Sequence, residues 1–315
     1  MTGSGSTTTV AAAQLRIVHD KQANLRRIEE VVEEARAQGV DHLVLPECAL
    51  QGYVDLSFVQ GTKESAEVKR YFALESEPVP GPSTERIAAL AQRAGMTIQL
   101  GLAERALEGN VVFNSVAVVG AEGVLAVYRK IHNHFEYPYF SPANEPVTVD
   151  LPFARLGLMI CWDYAFPELG RVYGLRGADV LSVSTAWPMQ GKDPATDYHG
   201  FAMDLCLQSQ AMFNQAWVVA ANHCEKDAYH VRSDYYGGSQ VVDPFGKVVA
   251  KLGQEEGLAL HTTDLRGEVL RARTEGLFGK NFLQERRPEC YPGIAVPVGG
   301  AAPAAGDAAL RGPAQ

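Results

Sequence analysis

Cysteine is scarce in this chain: five residues in 315, at positions 48, 161, 206, 224 and 290, with no C-x-x-C pair among them. So few and so scattered, they exclude a disulfide framework and a cysteine-built zinc site, and they predict free thiols in a reducing compartment. Positive charge is in deficit as well, with 28 Lys and Arg against 37 Asp and Glu for a net charge of −9. A chain of that sign lacks the basic stripe that phosphates require, which excludes nucleic acid as an expected partner. No uninterrupted apolar run approaches the roughly 18 residues of a membrane span. The opening stretch "MTGSGSTTTVAAAQL" shows no basic segment followed by an apolar core, so no signal peptide is expected and the cytoplasm is the expected location.

What is present is an ordinary globular composition, 46% hydrophobic and 21% charged, enough for a sizeable core. Residues 1–8 are rich in Gly, Ser and Thr, and residues 297–315 form an Ala/Gly/Pro tail; both are expected to be unstructured. No comparable linker interrupts residues 9–296, which predicts one domain, and no internal repeat is evident. Leu25, Ile28, Val31, Val32 and Ala35 recur at helical spacing, predicting a helix over 22–38. A second helix is predicted over Ser83–Ala94, a third over Phe166–Arg176 and a fourth over about 199–214. Apolar runs predict strands at Val10–Ile17, "HLVLP", Met96–Leu102, "RLGLMIC", "ADVLSVST" and "AWVVAAN". The pairs around "GAEG" and "DPFG" read as hairpins. Strands alternating with helices, with hairpins mixed in, predict an α/β fold of mixed sheets packed face to face and covered by helices.

Three reactive side chains stand where such strands run out: Glu47 after "HLVLP", Lys130 after "VLAVYR" and Cys161 after "LGLMI". Singly each has an everyday reading, a solvated charge or a packing thiol. Together they supply complementary roles. A thiol can attack an electrophilic carbon, a carboxylate can take and return the proton, and an ammonium can stabilise the oxyanion. None of the eight histidines sits where a Cys-His pair would need it. An ionised Glu47 opposes the Cys161 thiolate while Lys130 favours it, so the groups should titrate as a coupled set.

On these motifs the chain resembles the nitrilase superfamily of carbon–nitrogen hydrolases, with "LVLPECALQGY", "VYRKIH" and "CWDYAFPE" in the family's Glu–Lys–Cys order at separations of 83 and 31 residues. "FNSVAVVGAEG", "GADVLSVSTAW", "WVVAAN" and "GGSQVVDPFGKVVA" also follow the family order. The resemblance implies a four-layer αββα sandwich of two mixed sheets, a homodimer or higher homo-oligomer, and catalysis through a cysteine thioester with no cofactor and no metal. It implies Cys161 as nucleophile, Glu47 as general base, Lys130 as oxyanion stabiliser and the Trp162 backbone N–H as a second oxyanion donor. "EYPYFSPAN" places Glu136 where many members carry a second glutamate that holds the lysine and the substrate nitrogen; Ala143 stands where those members have glycine. Where the family often reads A-R-A-x-E-N, this chain reads Ser209-Gln210-Ala211-Met212-Phe213-Asn214, so support behind the site should be built without that ion pair.

Relatives that act on carboxylate-bearing amides carry an arginine four residues after the cysteine, where this chain has Ala165. Arginine is the natural bidentate clamp for a carboxylate, so its absence points to a neutral or weakly cationic amide. Tyr53, Trp162 and Trp187, with Phe135, Tyr137 and Tyr139, are candidates for an aromatic pocket, and His134 for its rim. Trp162-Asp163, where nitrilases read Trp-Glu, ranks amide hydrolysis first, N-carbamoyl amine hydrolysis second and nitrile hydrolysis third. Different classes remain open: a metal-dependent hydrolase built on "HNH" at 132–134, a non-catalytic binding module, or a glutaminase feeding a separate synthetase chain.

Overall fold

The computed structural model describes residues 7–54, 63–107, 109, 111–134, 136, 139–191, 193–225 and 234–296. The expectations for 1–6, for the tail 297–315, and for Phe135 and Tyr137 lie outside the described residues.

Among the described residues twelve strands form two six-stranded sheets. Sheet one has the order β12-β1-β2-β3-β4-β5 and holds β1 (Thr8–Gln14), β2 (His42–Val44), β3 (Thr97–Arg105), β4 (Val112–Gly120), β5 (Gly123–Arg129) and β12 (Gly257–Thr263). Sheet two has the order β11-β10-β9-β8-β7-β6 and holds β6 (Thr148–Asp150), β7 (Arg155–Ile160), β8 (Val180–Ser184), β9 (Trp217–Ala221), β10 (Gln240–Val242) and β11 (Val248–Lys251). In each sheet three parallel strands, β1-β2-β3 and β7-β8-β9, lie between antiparallel neighbours.

Period-two alternation sorts β1 between two cores. On β1, Val10 and Ala12 face the other sheet, while Ala11 and Ala13 face helices α1 (Lys21–Ala37) and α3 (Pro82–Ala94). Helix α1 is buried along Leu25, Ile28, Val31, Val32 and Ala35, is opened by Asp20 accepting from the Ala23 N–H, and meets the same apolar layer as Ile87 and Leu90 of α3. Gly95 ends α3 in the left-handed conformation at φ 68°. Across sheet two, α4 (Pro167–Leu175) contributes Leu169 and Tyr173, and α5 (Tyr198–Asn214) contributes Met203, Leu207 and Ala211. The four layers are therefore helices, sheet, sheet, helices, as the αββα expectation required.

The stretch expected to be unstructured ends sooner than residue 8. Thr8 already opens β1, because it pairs with Thr263 of β12. Helix α2 (Lys63–Glu75), β6, β12 and α6 (Leu265–Thr274) have no counterpart in the sequence expectations.

Candidate active site

The site is built where strand ends of both sheets converge. Three residues past β2 the chain turns sharply at Glu47, and Cys48 takes the left-handed conformation at φ 46°. The turn lies directly against β3: a Cβ on Gly101 would fall 2.2 Å from the Pro46 carbonyl oxygen and 2.8 Å from the Cys48 nitrogen, so only glycine fits there. The Glu47 N–H donates to the Thr185 carbonyl at 3.3 Å, and His223 Nε2 donates to the Glu47 carbonyl at 2.6 Å. Lys130 follows β5 directly, with its N–H bonded to the Asn114 carbonyl at 2.8 Å and its own carbonyl accepting from Ala143 at 3.0 Å. Ala143 has no positive φ, so this loop closes without the family's glycine.

Glu47, Lys130 and Glu136 meet as one buried cluster. Lys130 Nζ donates to Glu47 Oε1 at 2.7 Å and to Glu136 Oε1 at 2.5 Å, with all three side chains inaccessible. Tyr53 donates its hydroxyl to Glu136 Oε1 at 2.7 Å. Asn114 Nδ2 donates to Glu47 Oε1 at 2.6 Å and reaches Glu136 Oε2 at 3.4 Å. Glu47 Oε2 has no hydrogen-bond partner among the described residues.

Cys161 opens a tight 3₁₀ turn, Cys161–Ala165, and is itself left-handed at φ 46°. The turn is fastened by the wholly buried Asp163. Its carboxylate accepts from the Ile160 N–H at 2.9 Å, the Tyr128 hydroxyl at 2.7 Å, and the His132 N–H and Nδ1 at 3.0 and 2.9 Å. One side chain thus ties the end of β7 to the end of β5. The sequence singled out Trp-Asp only as a guide to reaction type; its inward-facing, structural use was missed. Behind the same turn, Gln210 of α5 donates to the carbonyls of Tyr164 and Phe166 at 2.9 and 3.1 Å. A neutral amide thereby occupies the place expected to lack its usual ion pair.

Burial decides the charge states. It raises the Glu47 carboxyl to about 7, with Lys130 pulling the other way and Glu136 adding to the rise. Burial acts to lower the Lys130 ammonium, but Glu136 and Glu47 outweigh it and hold the group well above its ordinary value. Burial, reinforced by Glu47, drives the Cys161 thiol far above its usual range. The resting sulfur is therefore a thiol that needs a base, and Glu47 is poised to be ionised near neutrality.

Cys161 borders a cavity of about 280 Å³. Of the eight residues expected around it, Tyr53, His134, Trp162, Ala165 and Trp187 line its walls, while Phe135 and Tyr137 lie outside the described residues. The Trp162 and Trp187 rings lie nearly parallel with centroids 5.7 Å apart, and His134 packs against Trp162 at 4.9 Å. The first turns of α5 add Tyr198, His199, Ala202 and Cys206, a wall the sequence did not announce because nothing in a helical pattern says which end faces a ligand. Tyr139, by contrast, stacks on Phe72 at 5.1 Å in a separate apolar cluster. Glu47, Lys130 and Glu136 sit behind the cavity rather than on its wall. The "HNH" histidines part company, His132 bonding to Asp163 and His134 lining the cavity. Among the described residues no group of three or more His, Cys, Asp or Glu gathers to hold a metal. Among the same residues no helix is long and apolar enough to cross a membrane.

The comparisons agree with this architecture. The chain is 31% identical over 297 residues to N-carbamoylputrescine amidase of Solanum lycopersicum, covering 90% of this chain and 93% of the relative. It is 31% identical over 270 residues to omega-amidase NIT2 of Homo sapiens, covering 82% and 88%. The crystal structure of Saccharomyces cerevisiae Nit3, a member of branch 10 of the nitrilase superfamily, superposes with a TM-score of 0.72 at 25% identity, covering 85% of this chain and 94% of that one. The family model for carbon-nitrogen hydrolases matches residues 9–270, and the chain belongs to that family, within the nitrilase superfamily.

Proposed function

We propose that the protein hydrolyses the C–N bond of a neutral, bulky or aromatic carboxamide to a carboxylic acid and ammonia, with Cys161 as nucleophile, Glu47 as base and Lys130 as oxyanion stabiliser. One observation carries the substrate class: none of the described residues lining the cavity is Asp, Glu, Lys or Arg. Among the described residues that wall offers a charged substrate arm no carboxylate, ammonium or guanidinium, only the His134 and His199 imidazoles, and leaving water without such a partner is costly.

The buried cluster and the unpartnered oxygen of Glu47 support the following steps. Glu47 Oε2, the unpartnered oxygen, takes the Cys161 proton as sulfur bonds to the amide carbon. The oxyanion so formed lies toward Lys130 Nζ and the Trp162 N–H. As the intermediate collapses, the C–N bond breaks and the nitrogen leaves as ammonia with the proton from Glu47, giving a thioester. Water then attacks that carbon, giving its proton to Glu47; the C–S bond breaks and the thiol recovers its proton. Glu136, bonded to Lys130 and Tyr53, holds the ammonium in place.

A panel of aromatic amides, aliphatic amides, N-carbamoyl amines and nitriles, scored for ammonia, tests this reading. Fastest turnover of apolar amides supports it, while preference for ω-amides of dicarboxylic acids or for nitriles overturns it. An N-carbamoyl amine is the second reading, favoured by the relative from Solanum lycopersicum.

For the assembly, α5 exposes Tyr198, Phe201, Leu205 and Phe213 along one side, with Leu175 of α4 also exposed. A second copy of this chain fits that apolar face, and sedimentation as a monomer at micromolar concentration would rule it out. The five cysteines, all unpaired, suit the reducing cytoplasm.

A further inference from the structure

The reaction asks that one particular oxygen of Glu47 be free, and the structure contains a device that arranges this. Asn114 stands on β4 opposite Ala103 of β3 and ends in the charged cluster. Its Nδ2 donates to Glu47 Oε1 at 2.6 Å, while its Oδ1 accepts from the Cys48 thiol at 3.5 Å. With Lys130 Nζ also at 2.7 Å, Glu47 Oε1 holds two donors and, among the described residues, Oε2 none. We propose that Asn114, oriented by Cys48, is a positioning residue that selects Glu47 Oε2 as the proton-accepting atom.

The chemistry of the amide makes the Cys48 contact decisive. An asparagine has two donors on nitrogen and an acceptor oxygen, so its orientation follows whatever it faces. Turned over, it would set Oδ1 against Glu47 and Glu136 together. Burial, with the charges of Glu47 and Glu136 adding to it, keeps the Cys48 sulfur protonated, so this thiol offers a donor in the one direction that suits Oδ1. Cys48 can do so because it follows Glu47 in a left-handed turn pressed onto Gly101. Among the described residues the groups that act on Glu47 are Lys130 and Asn114 bonded to Oε1, Glu136 and Tyr53 linked through the ammonium, and the Cys48 and Cys161 thiols, which feel its charge. His223 Nε2 donates to the backbone carbonyl of Glu47.

The sign of the effect is fixed. Removing a donor from a carboxylate destabilises its ionised form, so Glu47 titrates higher and the acid limb of activity moves to higher pH.

The proposal rests on Glu47 being the base, and its test keeps the two apart. Alkylation of Cys161 by iodoacetamide, followed by mass spectrometry across pH, reports the base without requiring the natural substrate; kcat/KM on the fastest amide of the panel is measured beside it. Asn114→Leu should raise the acid limb of both profiles by about one pH unit, the size of one lost charge-assisted hydrogen bond. Cys48→Ala should raise it by less, and Cys48→Ser, which retains a donor, should restore the native limb. Limbs that coincide in Cys48→Ala and Cys48→Ser, or an unmoved limb in folded Asn114→Leu, overturn the proposal. Should Asn114→Leu fail to fold, the two Cys48 variants decide alone. If Glu47→Gln leaves the alkylation profile unchanged, Glu47 is not the base, and the proposal and the catalytic reading fall together.

Discussion

Sheets one and two follow the same plan, an antiparallel edge strand, three parallel strands and an antiparallel pair beyond them, yet they bring opposite chemistry to the site. From sheet one and its loops come Glu47, Asn114, Lys130 and Glu136, every charged group of the cluster. From sheet two and its helices come the thiol and most of the cavity wall: Cys161, Trp162, Ala165, Trp187 and the first turns of α5. The Glu47 N–H to Thr185 carbonyl bond joins the ends of β2 and β8, strands in equivalent positions of the two sheets. Such segregation has a physical reason. Buried charges are tolerable when they compensate one another at hydrogen-bond distance, and one sheet can hold them rigidly together. The other sheet is left free to surround the substrate with apolar surface.

The comparison breaks most severely at the sulfur. Cys161→Ala should abolish ammonia release, with a loss of about four orders of magnitude or more, since the thioester route then has no nucleophile. Cys161→Ser should fall almost as far. Both should keep the melting temperature close to the native value, because the sulfur only borders the cavity and the turn is held by Asp163. Normal turnover in the alanine variant would sink the mechanism.

Next in size is the charge balance of sheet one. Lys130→Met leaves Glu47 and Glu136 facing each other without their ammonium. Activity should drop on the order of a thousandfold as oxyanion stabilisation is lost. Stability should fall by about 3–5 kcal/mol, the cost of stranding buried charge. Glu47, whose carboxyl burial already raises, can shed its charge by taking up a proton, so the stability deficit should shrink as pH falls; denaturant melts at pH 5 and pH 8 would measure it. With Glu47 as the proposed base, its carboxylate form is the competent one, and burial lifts its titration to about 7. Activity should therefore rise with pH through neutrality rather than through the ordinary glutamate range near pH 4–5. A kcat/KM profile flat from pH 5 to 8 would refute that assignment.

Between the sheets stands Asp163, and its variant tests the joint itself. Asp163→Ala removes the acceptor shared by Ile160, Tyr128 and His132, leaving buried donors unpaired. The expected loss in kcat is on the order of a hundredfold, with KM little changed, because the turn presenting the sulfur loosens while the cavity wall stays. An increase in KM alone would show that Asp163 shapes binding instead.

Glu47, Lys130 and Cys161 were legible as candidates because each terminates an apolar strand, a local pattern in one dimension. Four-layer packing was legible for a similar reason: strands and helices alternate, and their buried positions recur with the right period. Asp163 was visible but misread, since donors to its carboxylate come from positions 128, 132 and 160, and only the fold brings them together. Asn114 was hidden inside "FNSVAVVG", an unremarkable strand whose end happens to meet two carboxylates. Strand β12 escaped because its seven residues gain their partner from β1, some 250 positions away. Helix α5 was predicted, but its apolar residues lie on every side, so periodicity could not separate a core face from a cavity wall.

The smallest effect bears on what sheet two selects. Ala165 and Cys206 both line the cavity, and both also border a second, open groove between α4 and α5. Small side chains at these positions leave the far end of the cavity wide. Ala165→Phe would fill that end with an aromatic ring while the charged cluster behind Cys161 stays as it is. The loss should then fall unequally, with kcat/KM for aromatic amides dropping about tenfold more than for acetamide or propionamide, most of it in KM. Cys206→Phe should act in the same direction. Equal losses on large and small amides would mean that the ring disturbs the sulfur rather than the cavity, and the division of labour between the two sheets would be less clean than their geometry implies.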